Sequence, residues 1–182
     1  LTTVIKKIEG IAENTAYNSR MIDISTVATQ CIAEYEKRRE MARNGKKIGL
    51  TTGLSKLDHI TGGWKPGQLI ILAARPAMGK TAMLLHFAKS ASIAGIPVVI
   101  FSLEMEVQAL TNRALLSESE VNSDRFKAGT LSTEEETSLC QAIGQISCLP
   151  ISLDDSANIS MQQIKTRARE LRRKGKCGLV LI

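Results

Sequence analysis

The segment Ala74-Arg75-Pro76-Ala77-Met78-Gly79-Lys80-Thr81 has the residue types and spacing of a phosphate-binding loop. It departs from G-x-x-x-x-G-K-[ST] only at its first position. Gly79 has no Cβ, so the backbone there can approach an anion closely. Residues 74–82, whose backbone N–H groups (Pro76 has none) would point at such an anion, lead into the start of a helix, whose dipole favours negative charge. Lys80 suits the β- and γ-phosphates of a nucleoside triphosphate as a point charge, and the Thr81 hydroxyl suits Mg²⁺ beside them. Alanine at position 74 is harmless if its φ is ordinary and strained if φ must be positive.

A second candidate lies beyond the next apolar run. Residues 98–102 read as a buried strand that ends in Leu103-Glu104-Met105-Glu106. A carboxylate at the carboxyl end of such a strand shares a rim with the phosphate loop. There Glu104 can position or deprotonate the water that attacks a γ-phosphate. The alternative is an acid drawn to the dipole of the following helix. Glu106 is placed inside that helix and is the weaker candidate.

These groups need a scaffold. Residues 69–74 read as a continuous apolar strand leading into the loop, and 80–94 as a helix with Met83, Leu84, Phe87 and Ala88 on its inner face. Further on, a helix is expected from about 106, another at 133–146, a strand at 151–153, a helix at 161–174 and a strand at 178–182. Ser132 with Glu135 and Ser160 with Gln163 have capping-box spacing, and Gly175 stands where a C-terminal cap belongs. Apolar strands alternating with helices predict an α/β fold, a mostly parallel sheet between helices, with ligands at the carboxyl ends of its strands. Before this core, Thr52-Gly53-Leu54 and Leu57-Asp58 predict a turn and a short helix. Helical spacing appears at 3–16 and again from Ser25, where Val27, Ala28, Cys31, Ile32 and Tyr35 form a stripe.

Composition narrows the function classes. The chain has 182 residues, and its net charge of +6 permits a polyanionic partner without requiring one. Aromatics at 3% argue against a platform for stacking single-stranded bases. Cys31, Cys140, Cys148 and Cys177 form no CxxC pair, and His59 and His86 add no metal pattern, which fits reduced thiols in an intracellular, cytoplasmic protein. Lys165, Arg169, Arg172 and Lys176 share one helix face, opposite Met161, Ile164, Ala168 and Leu171. A solvated face accounts for those charges more simply than a DNA contact. Asp154 and Asp155 fit a metal-site rim, a loop-shaping role and simple turn formation equally. Arg75 is read as solvent-facing, and Trp64 as packed at an edge of the sheet. The chain starts without methionine and stops within an apolar run, so it is read as a fragment truncated on its C-terminal side.

Together these strings resemble the DnaB family of bacterial and phage replicative helicases: Thr52-Gly53-Leu54 with Leu57-Asp58, residues 73–81, Phe101-Ser102-Leu103-Glu104-Met105, and residues 151–155. The order and spacing agree over about 23–182, and alanine at position 74 is common in that family. The resemblance implies a RecA-like core that hydrolyses ATP with Mg²⁺ in a homo-hexameric ring moving along single-stranded DNA, with primase and a helicase loader as partners. It assigns catalysis to Glu104 and Lys80. It makes 23–48 a linker helix docked on the adjacent protomer, 1–22 the tail of an N-terminal helical region, and 49–182 a truncated motor domain. It also places a Walker B aspartate, an arginine finger and DNA-binding loops beyond Ile182, so weak nucleotide binding and negligible helicase activity are expected of this stretch alone. Three rivals use the same loop: a recombinase- or clock-type ring ATPase, a small-molecule kinase, and a nucleotide-binding module that does not hydrolyse. Residues 101–105 argue against the first, the lack of an arginine-rich lid against the second, and Glu104 against the third.

Overall fold

Val98-Val99-Ile100-Phe101 is apolar, mostly β-branched and too short for a stable helix, and it forms β1 (Val98–Phe101) at the centre of the sheet. All four side chains are buried, none more than 2% exposed. A computed structural model describes residues 23–43 and 49–182 of the chain. Both neighbours of β1 run parallel to it. β2 (Ile151–Asp154) pairs with the register Val98↔Ile151, and β3 (Leu179–Leu181) with Val98↔Leu179, giving the order β2-β1-β3.

The period of two along β1 divides the core. Val98 and Ile100 face a helix, Lys80–Ile93, through Ala88 and Ala91, both fully buried. Ala88 and Ala91, three residues apart, lie on one face of the helix, and Leu84 and Leu85 pack against the same cluster. Val99 and Phe101 face the opposite way, onto Ile164, Ala168 and Leu171 of the helix Met161–Arg173. The sheet is therefore covered on both sides, as expected. Each large side chain so buried contributes ~1.5–3 kcal/mol relative to exposure.

In chain order the helices are α1 (Ile24–Arg43), α2 (Ser55–Thr61), α3 (Lys80–Ile93), α4 (Val107–Ser119), α5 (Ser123–Ala128), α6 (Thr133–Ser147) and α7 (Met161–Arg173). Helix α1 forms a unit apart from the sheet domain, with Ile24, Ile32 and Tyr35 exposed. The expected helix at 3–16 lies outside the described residues. Both capping boxes are present, at Ser132 and Ser160. Gly175 takes the left-handed conformation, φ 69°, that closes α7. Met161 departs from the expected stripe: it is 69% exposed, ahead of the turn that Ile164 buries. Helix α5 was not anticipated; Asn122 caps it by accepting from the amides of Asp124 and Arg125.

The main correction concerns 69–74. This run has no ladder hydrogen bonds, and Leu69 and Ile71 are 87% and 81% exposed. Its composition suits a strand, but a strand also needs an edge to pair with. The run instead faces β3 across a cleft. The same lack of an outer neighbour leaves β3 half-buried rather than buried.

Upstream, Asp58 organises a tight corner. Its carboxylate accepts from the Thr51 hydroxyl (2.5 Å), the Thr52 hydroxyl (2.6 Å) and the Thr52 amide (2.8 Å). Gly53, at φ 80°, lets this corner lie against α3, because a Cβ there would stand 2.6 Å from His86 Nε2. A bridge between Leu50 and Trp64 returns the chain, and the Trp64 ring meets Phe87 edge-on at 4.7 Å. Trp64 is thus a packing residue, as expected.

Candidate nucleotide site

The loop before α3 is bent by its own backbone. The Met78 amide donates to the Arg75 carbonyl (3.2 Å), Ala77 has φ 62° and Gly79 has φ 85°. Ala74 is not among the positive-φ residues, so its methyl costs nothing; the left-handed alanine is Ala77 instead. An L-residue in that region is strained by ~1–2 kcal/mol. Residues 74–80 are solvent-exposed, Arg75 included.

Helix α3 opens with Gly79 as its N-cap and without a side-chain cap. Its first turn carries Lys80, Thr81 and Ala82, whose amides point out of the helix end toward any bound acceptor. Among the described residues, no atom other than those of its own chain neighbours lies within 4 Å of where a Cβ on Gly79 would stand. The space beside Gly79 is therefore open, next to the positive end of a helix.

Glu104 arrives from a different element. It lies in the five residues between β1 and α4, tied down at several points. The Ser102 amide donates to the Asp154 carbonyl (2.8 Å), and the Ser102 hydroxyl donates to the Met105 carbonyl (2.6 Å). The Glu104 side chain itself is exposed. Lys80, Thr81 and Glu104 line one cleft of about 450 Å³, with Ser102 and Gln68 as further polar lining. Most of the rest of its wall is apolar, including Leu69, Ile70, Leu72, Ile100 and Phe101 of β1, and β3, and Lys80 is the one cationic residue among the described residues that line it.

The two aspartates ending β2 are used structurally. Asp154 accepts from Arg167 and from the Ser156 hydroxyl (2.6 Å) and amide (3.0 Å). Burial alone would raise its pKa. The Ser156 and Arg167 hydrogen bonds and the Arg167 charge outweigh that and hold the carboxyl below its ordinary value. Asp155 accepts from the Val107 amide (2.9 Å) at the start of α4. Sequence reasoning passed over Arg167 and Ser102. A serine directly after a strand, able to form a local side-chain turn, was the available signal for the latter. Lys165, Arg169, Arg172 and Lys176 are exposed, and the cysteines are free thiols. No group of acids, histidines and cysteines suited to a metal ion occurs among the described residues.

A family model described as "DnaB-like helicase C terminal domain" matches residues 49–182, well over half of the chain. The chain belongs to the DnaB-like helicase C-terminal domain family. It is 33% identical over 162 residues to the replicative DNA helicase DnaB of Leifsonia xyli, which aligns with 88% of this chain and 35% of that protein. The DnaB of Geobacillus stearothermophilus is 37% identical over 141 residues, covering 77% of this chain and 31% of its own length. The DnaB-like domain thus comes from a segment about a third as long as these relatives. Among solved structures, one of a DnaB-like replicative helicase and its interactions with primase aligns with TM-score 0.75 and 30% identity, over 97% of this chain and 42% of that one. A solved ATPase domain aligns with TM-score 0.76 and 30% identity, over 85% and 55%. The parallel sheet between helices is accordingly the RecA-like ATPase architecture. Among the described residues no helix is long and apolar enough to cross a membrane.

Proposed function

We propose that this DnaB-like domain binds and hydrolyses ATP as part of a replicative helicase motor. Residues 74–82 would wrap the triphosphate with backbone amides, and Lys80 would neutralise its terminal phosphates. Glu104 would orient and deprotonate the attacking water. The Thr81 hydroxyl, on the cleft wall beside Lys80, fits a Mg²⁺ ligand; when bound, the ion would offset phosphate charge. The observation that carries the reading is the convergence of Lys80, Thr81 and Glu104, from two separate elements, on one cleft at the carboxyl end of β1.

The family relationship extends the proposal to single-stranded DNA as track, a homo-hexamer joined through α1, and primase and a loader as partners. The exposed Ile24, Ile32 and Tyr35 of α1 are consistent with a helix that docks on another subunit. Glu104→Gln in the full-length protein tests the assignment. ATP affinity should persist while turnover falls by the ~10²–10⁴-fold that a general base contributes. Turnover at the wild-type rate would remove Glu104 from the mechanism.

A further inference from the structure

Glu104 has an exposed side chain, so its aim is set by the backbone that carries it. That backbone, 102–106, is held at both ends by consecutive residues of one strand terminus. At its start the Ser102 amide donates to the Asp154 carbonyl (2.8 Å). At its end the Val107 amide donates to the Asp155 carboxylate (2.9 Å). Between these, the Ser102 hydroxyl closes a turn over Leu103 and Glu104 by donating to Met105 O and accepting from Met105 N.

Helix α4 needs this outside help. Its N-cap, Glu106, makes no side-chain cap bond. The first amide of α4 is served instead by a carboxylate 48 residues away in sequence. An acceptor that bears negative charge suits the positive end of a helix, and a charge-assisted bond fixes direction as well as distance. The neighbouring Asp154 is engaged elsewhere, with Ser156 and Arg167.

Resting on the assignment of Glu104 to water activation, we propose that Asp155 is a positioning residue for Glu104. It locks the start of α4 to the end of β2, so that the turn between β1 and α4 presents Glu104 to the cleft in one orientation. Asp155 is not among the residues that line the cleft. It acts through the helix cap.

The test uses the full-length protein with Asp155→Ala, Asp155→Asn, Glu104→Gln and the double variant Asp155→Ala/Glu104→Gln. ATP is the probe for both binding and steady-state turnover. Asp155→Ala should lower kcat about tenfold, within the ~10²-fold that an ångström of misplacement costs, and leave ATP affinity and KM unchanged. Asp155→Asn keeps a side-chain oxygen able to cap and should recover most of the rate. In the Glu104→Gln background, removing Asp155 should cost nothing further, because there is no longer a base to aim. Wild-type kcat in Asp155→Ala, with Glu104→Gln impaired, would overturn the positioning role alone. So would an equal loss of affinity and rate in both the Ala and Asn variants, which marks a purely structural residue. An unimpaired Glu104→Gln would remove the underlying assignment and the positioning role with it.

Discussion

Replacing Gly79 with alanine separates the cost of bending the loop from the loop's use. Gly79 sits at φ 85° and ψ 17°, in the left-handed region. Among the described residues, a Cβ there meets no atom within 4 Å beyond its own chain neighbours, so no such clash contributes. The backbone penalty is ~1–2 kcal/mol. Reduced freedom of the unfolded chain returns ~0.4–1 kcal/mol of it. The net loss is therefore about 1 kcal/mol, or ~2–4 °C in Tm for a chain of this size. Gly129 provides the control. It has φ 68°, and among the described residues its Cβ would also meet nothing within 4 Å, but it ends α5 and is not among the residues that line the cleft. Gly129→Ala should lower Tm by the same few degrees and leave nucleotide affinity untouched. Gly79→Ala should lower Tm equally and weaken ATP binding at least about tenfold, which is ~1.4 kcal/mol, because alanine at φ 85° disturbs the bend whose amides are proposed to hold the phosphates. Thermal denaturation and titration with a fluorescent ATP analogue measure the two quantities. Equal affinity for Gly79→Ala and Gly129→Ala would refute the reasoning.

Two further outcomes follow from other parts of the domain. Ser132→Ala or Ser160→Ala removes the cap of α6 or α7, and each should cost about 1 kcal/mol in thermal unfolding. Arg167→Ala removes a partner of Asp154, whose folded pKa is depressed. The stability contributed by that carboxylate is present at neutral pH and disappears as pH falls through its folded value. The variant should therefore be ~0.2–1 kcal/mol less stable than wild type at neutral pH, and the gap should close in acid, as measured by unfolding across pH. A gap that widened in acid would reverse the assigned sign.

Two apolar runs of similar composition show what the sequence could convey. Residues 98–101 became the most buried strand and residues 69–74 no strand at all. Hydrophobicity indicates that a segment seeks burial, whereas a strand is defined by a partner elsewhere in the chain, which composition does not name. Local devices were legible, because capping boxes and the αL closure at Gly175 involve residues within a few positions of one another. The loop motif was legible for the same reason, with Lys80 and Thr81 on the first turn of α3 as its spacing implies. Long-range ties were not. The Val107–Asp155 bond spans 48 residues and the Arg167–Asp154 pair 13, and neither leaves a periodic mark. Ala77 illustrates a further limit, since its positive φ comes from the bend of the loop and not from any preference of alanine.

The central claim is that the bend before α3 holds the triphosphate of ATP with Lys80 as its counter-charge. Calorimetric titration of ATP into the full-length wild-type and Lys80→Ala proteins tests it most directly. Saturable binding in the wild type, abolished in a Lys80→Ala protein that keeps its wild-type Tm, is the predicted result. Binding of undiminished affinity in that variant would contradict the account.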